Sequence, residues 1–109
     1  MKISEIVEKT GLEALSAWEN ADVPGVYVSD MASDIITGAP GGCLLLTLQT
    51  HKNLIAAANV VDAGMVVFAH DKRPSADVVE LAERVGIGLF RTADDTWTYA
   101  IKLFELGMR

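Results

Sequence analysis

The C-terminal two-thirds of the chain alternates between two hydrophobic rhythms. Residues 43–48, "CLLLTL", form an apolar run broken only by Thr47, and residues 65–69, "MVVFA", form another. Runs of this length, apolar at nearly every position, predict strands covered on both faces. Between them Leu54, Ala57, Ala58 and Val61 recur at i, i+3, i+4 and i+7, the stripe of a helix. After the second strand, Pro74-Ser75 opens a helix with Val78, Leu81, Ala82 and Val85 on one face, closed by Gly86. Residues 87–90 predict a short strand. Thr92 and Asp95 have the Ser/Thr-x-x-acid spacing of a helix start, and Trp97, Ala100, Ile101 and Phe104 then fall on one helical face.

Upstream the pattern is shorter but of the same kind. Residues 25–28, "GVYV", predict a strand that feeds a helix over residues 30–37, ended by Gly38 and Pro40. An N-terminal helix is predicted to begin after Ser4 and to stop at Gly11. Residues 12–18 fit either a short edge strand or a loop. Successive strand–helix units with short links predict a parallel sheet with right-handed crossovers. The expected fold is therefore α/β: a single domain, residues 1–109, with a mostly parallel sheet of four to five strands and helices on both faces.

Composition narrows the function classes. A net charge of −6 provides no basic stripe for phosphates, so nucleic acid is not expected as a partner. No apolar run approaches the roughly 20 residues that span a bilayer, and Glu5 and Glu8 interrupt any signal-like segment, so a cytoplasmic location is expected. Hydrophobic residues make up 50% of a chain of only 109, which is rich for a small domain with much surface per unit volume. Part of that material is expected at a subunit interface, most simply in a homodimer. A sheet covered by helices on both faces would also account for it.

The candidate chemistry lies where strands end. In an open parallel sheet every strand's carboxyl end points to one edge, where ligands usually bind. Read in order, those junctions are Ser29-Asp30, then Gln49-Thr50-His51 with Asn53, then His70-Asp71, then Arg91-Thr92. The densest cluster follows a strand and begins a helix, where unpaired backbone N–H groups attract anions. A structural role competes at each position. Thr50 or His51 can cap the helix, Ser29 and Asp30 are natural N-cap residues, and His70 with Asp71 can be a solvated loop.

Catalytic arrangements fare worse. Cys43 and His51 lie at opposite ends of a strand, about 20 Å apart at roughly 3.3 Å per residue, so they cannot form a nucleophile–base pair. Cys43 reads as a small buried apolar group, and a lone cysteine excludes an intrachain disulfide. "GAPGGC" precedes its strand and lacks a lysine, unlike a phosphate-binding loop. His51, His70 and Asp71 are metal-ligand types without motif spacing, and no metal site, cofactor or catalytic residue is assigned.

Three segments, "GVYVSDMASDIITGAPGG", "LLLTLQTHKNLIAAANVVDAGMVVF" and "GIGLFRTADDTWTYAIKLFELG", resemble the DRTGG domain family. Its members stand alone or sit inside larger proteins, among them HPr kinase/phosphorylase, in its N-terminal part, and pyrophosphatases that also carry CBS domains. The resemblance spans nearly the whole chain, and its most specific part joins Val28-Ser29-Asp30 to Gln49-Thr50-His51 and Asn53. The signature that names the family aligns with "DVPGV" at residues 22–26, where only Asp22 and Gly25 match.

The resemblance implies a regulatory, ligand-sensing module with no catalysis of its own. A small anionic metabolite or nucleotide is the expected ligand, an adenine nucleotide by analogy with the nucleotide-responsive pyrophosphatases. The residues expected to bind it are Ser29, Asp30, Gln49, Thr50, His51, Asn53, His70 and Thr92. The competing expectation is a protein-interaction or dimerisation module, with a partner enzyme or regulator and no small ligand.

Overall fold

Leu44, Leu45, Leu46 and Thr47 are all buried, and so are Met65, Val66, Val67 and Phe68. Side chains alternate between the faces of a strand, so four consecutive buried positions require cover on both sides of the sheet. A computed structural model of residues 1–109 shows that cover. Five helices, α1 (Ile3–Thr10), α2 (Ala32–Gly38), α3 (Lys52–Val60), α4 (Ala76–Val85) and α5 (Thr96–Glu105), enclose five strands. These are β1 (Glu13–Ala14), β2 (Val26–Val28), β3 (Leu44–Thr47), β4 (Met65–Phe68) and β5 (Gly88–Arg91), in the spatial order β1-β5-β4-β3-β2.

The parallel strands β2 to β5 are neighbours in chain order, with Val26, Leu44, Met65 and Gly88 in register. A right-handed crossover that always steps the same way places every connecting helix on the same face. Accordingly Ile35 of α2, Leu54 and Ile55 of α3, and Val78 and Ala82 of α4 share one core with Leu45, Val66 and Leu89. Ile3 and Ile6 of α1, with Tyr99 and Leu103 of α5, share the other with Leu44, Leu46, Val67 and Phe90. The single-domain α/β expectation with helices on both faces holds, with five strands.

The ambiguous stretch after α1 provides the fifth strand. Glu13 and Ala14 pair antiparallel with Arg91 and Phe90. Beyond them Leu15 N–H donates to Leu89 C=O at 2.8 Å, and Ser16 Oγ accepts from Leu89 N–H at 2.9 Å. Trp18 then lies edge-on to Phe90, centroids 5.5 Å apart. Gly88 makes room there, since a Cβ on it would come within 2.7 Å of Trp18 Cβ. The signature-like residues 22–26 form the entry to β2: Asp22 bridges to Lys2, buried Val23 donates its N–H to Met1 C=O, and Val26 begins the strand.

Four local expectations need correction. Helix α1 starts at Ile3 rather than after Ser4, whose N–H is met instead by Asn20 Oδ1 at 3.0 Å. Helix α2 spans Ala32–Gly38, because Ser29 and Asp30 turn outside it. The cap of α5 is Asp95, which accepts from Thr98 N–H at 2.7 Å, while Thr92 closes a turn by accepting from Asp94 N–H. The fourth concerns the inner face of α5. Tyr99 and Leu103 are buried there, whereas Trp97, Ile101 and Phe104 are exposed. Helix α5 carries two apolar stripes, and the larger one faces outward.

Candidate functional site

The one-directional winding also arranges the carboxyl edge. The loops after β2, β3 and β4 each lead into a helix on the same face, so they stand side by side. The loop after β5 leads to α5 on the opposite face and departs from the row. Two clefts lie between the three aligned loops. The first, about 220 Å³, is lined by Asp30, Ala32, Gln49, His51, Asn53 and Leu54. The second, about 280 Å³, is lined by Gln49, Thr50, His51, Lys52, Ser75 and Val78. Gln49 and His51 belong to both, because β3 is the middle strand of the three.

His51 is fixed by a structural duty. It is the N-cap of α3, and its Nδ1 accepts the Asn53 N–H at 3.2 Å. An accepting Nδ1 is unprotonated, so the ring proton of the neutral imidazole is carried on Nε2, the atom left for other partners. Leu54 N–H is satisfied by His51 C=O at 3.0 Å, and among the first N–H groups of α3 that of Lys52 has no partner within the protein.

Asp30 shapes the first cleft. Its Oδ1 accepts from Thr47 Oγ1 at 2.9 Å and from Leu48 N–H at 2.8 Å. Thr47 Oγ1 in turn accepts from Gln49 N–H at 3.0 Å. The carboxylate thus holds the end of β3 against the loop after β2 and sets where Gln49 begins. Ser29 has a local role, its Oγ accepting from Met31 N–H at 3.2 Å.

The two clefts differ in electrostatic character. The first has the Asp30 carboxylate beside the amides of Gln49 and Asn53, which suits a hydroxyl or amine donor. The second is rich in donors: the Lys52 ammonium, His51, the hydroxyls of Thr50 and Ser75, and the starts of two helices. Ser75 is the N-cap of α4 but makes no side-chain capping bond, so its hydroxyl is uncommitted. Helix starts carry partial positive charge, and two of them beside a lysine favour an anion.

Of the eight residues expected at the site, five line the clefts: Asp30, Gln49, Thr50, His51 and Asn53. Ser29, His70 and Thr92 line neither. His70 and Asp71 both have positive φ, 56° and 60°, and donate their N–H groups to Asp94 and Thr92 carbonyls at 2.8 and 2.9 Å. They fasten the loop after β4 to the loop after β5. Lys52 and Ser75 were not singled out by the residue pattern. Their signal was position alone: each stands at a helix start on the carboxyl edge.

The lone thiol of Cys43 is buried just before β3, and that burial pushes its pKa up, in keeping with an inert apolar role. A second polar cluster lies at the sheet's other border. Glu13 is bonded by Arg91 at 2.7 Å and by Arg73 at 3.0 Å, and Arg91 also pairs with Asp71. These ion pairs tie β1 to β5 and to the loop after β4. No helix is long and apolar enough to cross a membrane.

No family model matches the sequence, and no curated protein does. The fold does have a counterpart among solved structures. It is similar to the crystal structure of the CBS and DRTGG domains of the regulatory region of Clostridium perfringens pyrophosphatase, complexed with its activator, diadenosine tetraphosphate. The TM-score is 0.73 at 16% identity, over 93% of this chain and 45% of the other. This chain therefore spans less than half of that region. At such low identity the likeness is one of fold, and it agrees with the family resemblance read from the sequence. By its fold, this chain is a single α/β domain similar to part of that regulatory region.

Proposed function

We propose that the protein is a non-enzymatic regulatory module of the cytoplasm that senses a small anionic metabolite, best an adenine nucleotide, across the two clefts at the carboxyl edge of its sheet. The observation that carries this reading is the pairing of a donor-rich cleft with a carboxylate-bearing one through shared Gln49 and His51. Each cleft is smaller than the roughly 300 Å³ at which ligand pockets usually begin, so a nucleotide must span both. Its phosphate lies in the second cleft against Lys52, Ser75 and the two helix starts. Its ribose hydroxyls lie in the first, donating to Asp30, as acidic residues do for ribose in other α/β sheets. The solved regulatory region complexed with an adenine dinucleotide supports the ligand class. His51 is already committed at Nδ1 to the helix cap, which argues for a binding role over a general base.

Thermal shift with AMP, ATP, diadenosine tetraphosphate and inorganic phosphate tests the reading. A ligand at 100 times its Kd adds roughly 2.7 kcal/mol to stability. The nucleotides are expected to raise the melting temperature of the wild type, and Lys52→Ala with Ser75→Ala to weaken that response. No shift with any of the four, or shifts that both substitutions leave intact, would sink the proposal.

A further inference from the structure

The two ends of the loop after β4 have different duties. Ser75, its last residue, lines the donor-rich cleft as the N-cap of α4, and its hydroxyl makes no capping bond. No bond of its own therefore fixes where that hydroxyl stands. Its place is set by α4 behind it, anchored in the core through Val78 and Ala82, and by the residues in front of it.

Those residues are held at the far border of the sheet. Because β1 runs antiparallel, its first residue, Glu13, stands opposite Arg91, the last residue of β5, and so lies on the carboxyl edge. Neighbouring strands are about 4.8 Å apart, which puts β1 roughly 10 Å from β4, within reach of an arginine on the loop. Arg73 makes that reach: its Nη1 and Nη2 donate to the two Glu13 carboxylate oxygens at 3.0 and 3.3 Å. Arg91 Nη2 donates to the same carboxylate at 2.7 Å, and its Nη1 pairs with Asp71 earlier in the loop. Only Pro74 separates Arg73 from Ser75. The proline ring locks its own φ and biases Arg73 toward extended conformations, so the link is stiff.

We infer that Glu13 is a positioning residue for the anion cleft: by clamping Arg73 across the end of β5 it sets, through Pro74, where the Ser75 hydroxyl stands. Glu13 itself lines neither cleft. The inference rests on the anion binding proposed for the second cleft and adds what holds that cleft in shape.

Charge distinguishes a clamp from a field. Glu13→Gln removes a negative charge and Arg73→Gln a positive one. Acting through space on a bound anion, the first would strengthen binding and the second would weaken it. Acting through the clamp, both release the same loop and both weaken binding.

Isothermal titration with AMP at neutral pH and physiological salt tests this in a double-mutant cycle with Ser75. Glu13→Gln and Arg73→Gln should each raise the Kd roughly fivefold, but by less than about twofold in a Ser75→Ala protein, because residues that act through one another are not additive. The side chains are 46% and 55% exposed, and exposed pairs contribute little to stability, so both variants remain folded for the titration. Arg73→Gln leaves the Arg91–Glu13 bond in place and carries the test alone if Glu13→Gln loosens β1. Affinities that move in opposite directions, that stay at the wild-type value, or that fall as far without the Ser75 hydroxyl as with it would each overturn the inference while leaving the cleft its ligand. A wild type that does not bind AMP would remove the proposed function and this inference together.

Discussion

His51 Nδ1 accepts the backbone N–H of Asn53 at 3.2 Å, so the residue at the centre of both clefts also caps the helix that follows. The two roles use different atoms of the ring, the cap Nδ1 and any ligand Nε2. His51→Ala is therefore expected to lower stability by about 1 kcal/mol through the lost cap as well as to weaken ligand binding. His51→Asn separates the effects, because asparagine is a strong N-cap residue without the imidazole. Urea denaturation should return the Asn variant to near wild-type stability while nucleotide titration still finds it weakened. An Asn variant that binds as well as wild type would reduce His51 to a cap.

The Asp30 carboxylate makes opposite predictions for the two ends of a ligand. Asp30→Asn retains an acceptor oxygen for Thr47 and Leu48 while removing the charge. If ribose hydroxyls lie there, nucleotide affinity falls. Inorganic phosphate, confined to the second cleft, should bind as well as before or better, since a nearby like charge is gone. Isothermal titration of both ligands distinguishes the cases, and a nucleotide affinity that rises with the substitution would place the sugar elsewhere. Asp30→Ala should instead cost about 2 kcal/mol, by leaving the buried Thr47 hydroxyl and the Leu48 N–H short of an acceptor.

Glu13 links stability to acid pH. Its hydrogen bond from Arg91, then that from Arg73, holds its carboxyl below the ordinary glutamate value of 4.5. A depressed folded-state pKa contributes stability that is present above the unfolded value and lost as pH falls through the folded one. Glu13→Gln should therefore be less stable than wild type at pH 7, with the gap closing below about pH 4.5. The pairs are exposed, so the gap should also narrow at high salt. A difference that stays constant from pH 7 to pH 3 would show that the charge is not what β1 uses.

Tyr99 gives the alkaline counterpart. Thr10 Oγ1 donates its one proton to Ile6 C=O at 2.6 Å, so in the 2.9 Å contact between Thr10 and Tyr99 the phenol is the donor. Burial pushes the Tyr99 phenol far above the ordinary tyrosine range. Its raised pKa contributes stability that is intact below the unfolded value near 10 and lost as pH rises beyond it. Phenolate absorbance of Tyr99 should appear together with loss of structure. Tyr99→Phe should remove that step and cost about 1 kcal/mol at neutral pH. A Tyr99 that ionises reversibly in the folded protein would contradict the buried bond.

The strands and their helices were legible in the chain because each rests on local rules. Residues 44–46 and 65–68 are apolar at every position, and Gly86 ends α4 in a left-handed conformation, φ 81°, that favours glycine. The gathering of Asp30, Gln49, Thr50, His51 and Asn53 was legible too, since parallel strands must end on one edge. Tertiary structure decided the rest. The direction of winding put three loops in a row and sent the fourth to the other face. It thereby brought Lys52 and Ser75, 23 positions apart in the numbering, to one cleft and left Thr92 outside both. It also decided which stripe of α5 is inward. Residues 96–105 are apolar on both sides, so periodicity alone could not choose between Trp97, Ile101 and Phe104 on one side and Tyr99 and Leu103 on the other. The choice came from packing: Tyr99 reaches a buried partner in Thr10 of α1, and that contact exists only once the two helices share a face of the sheet.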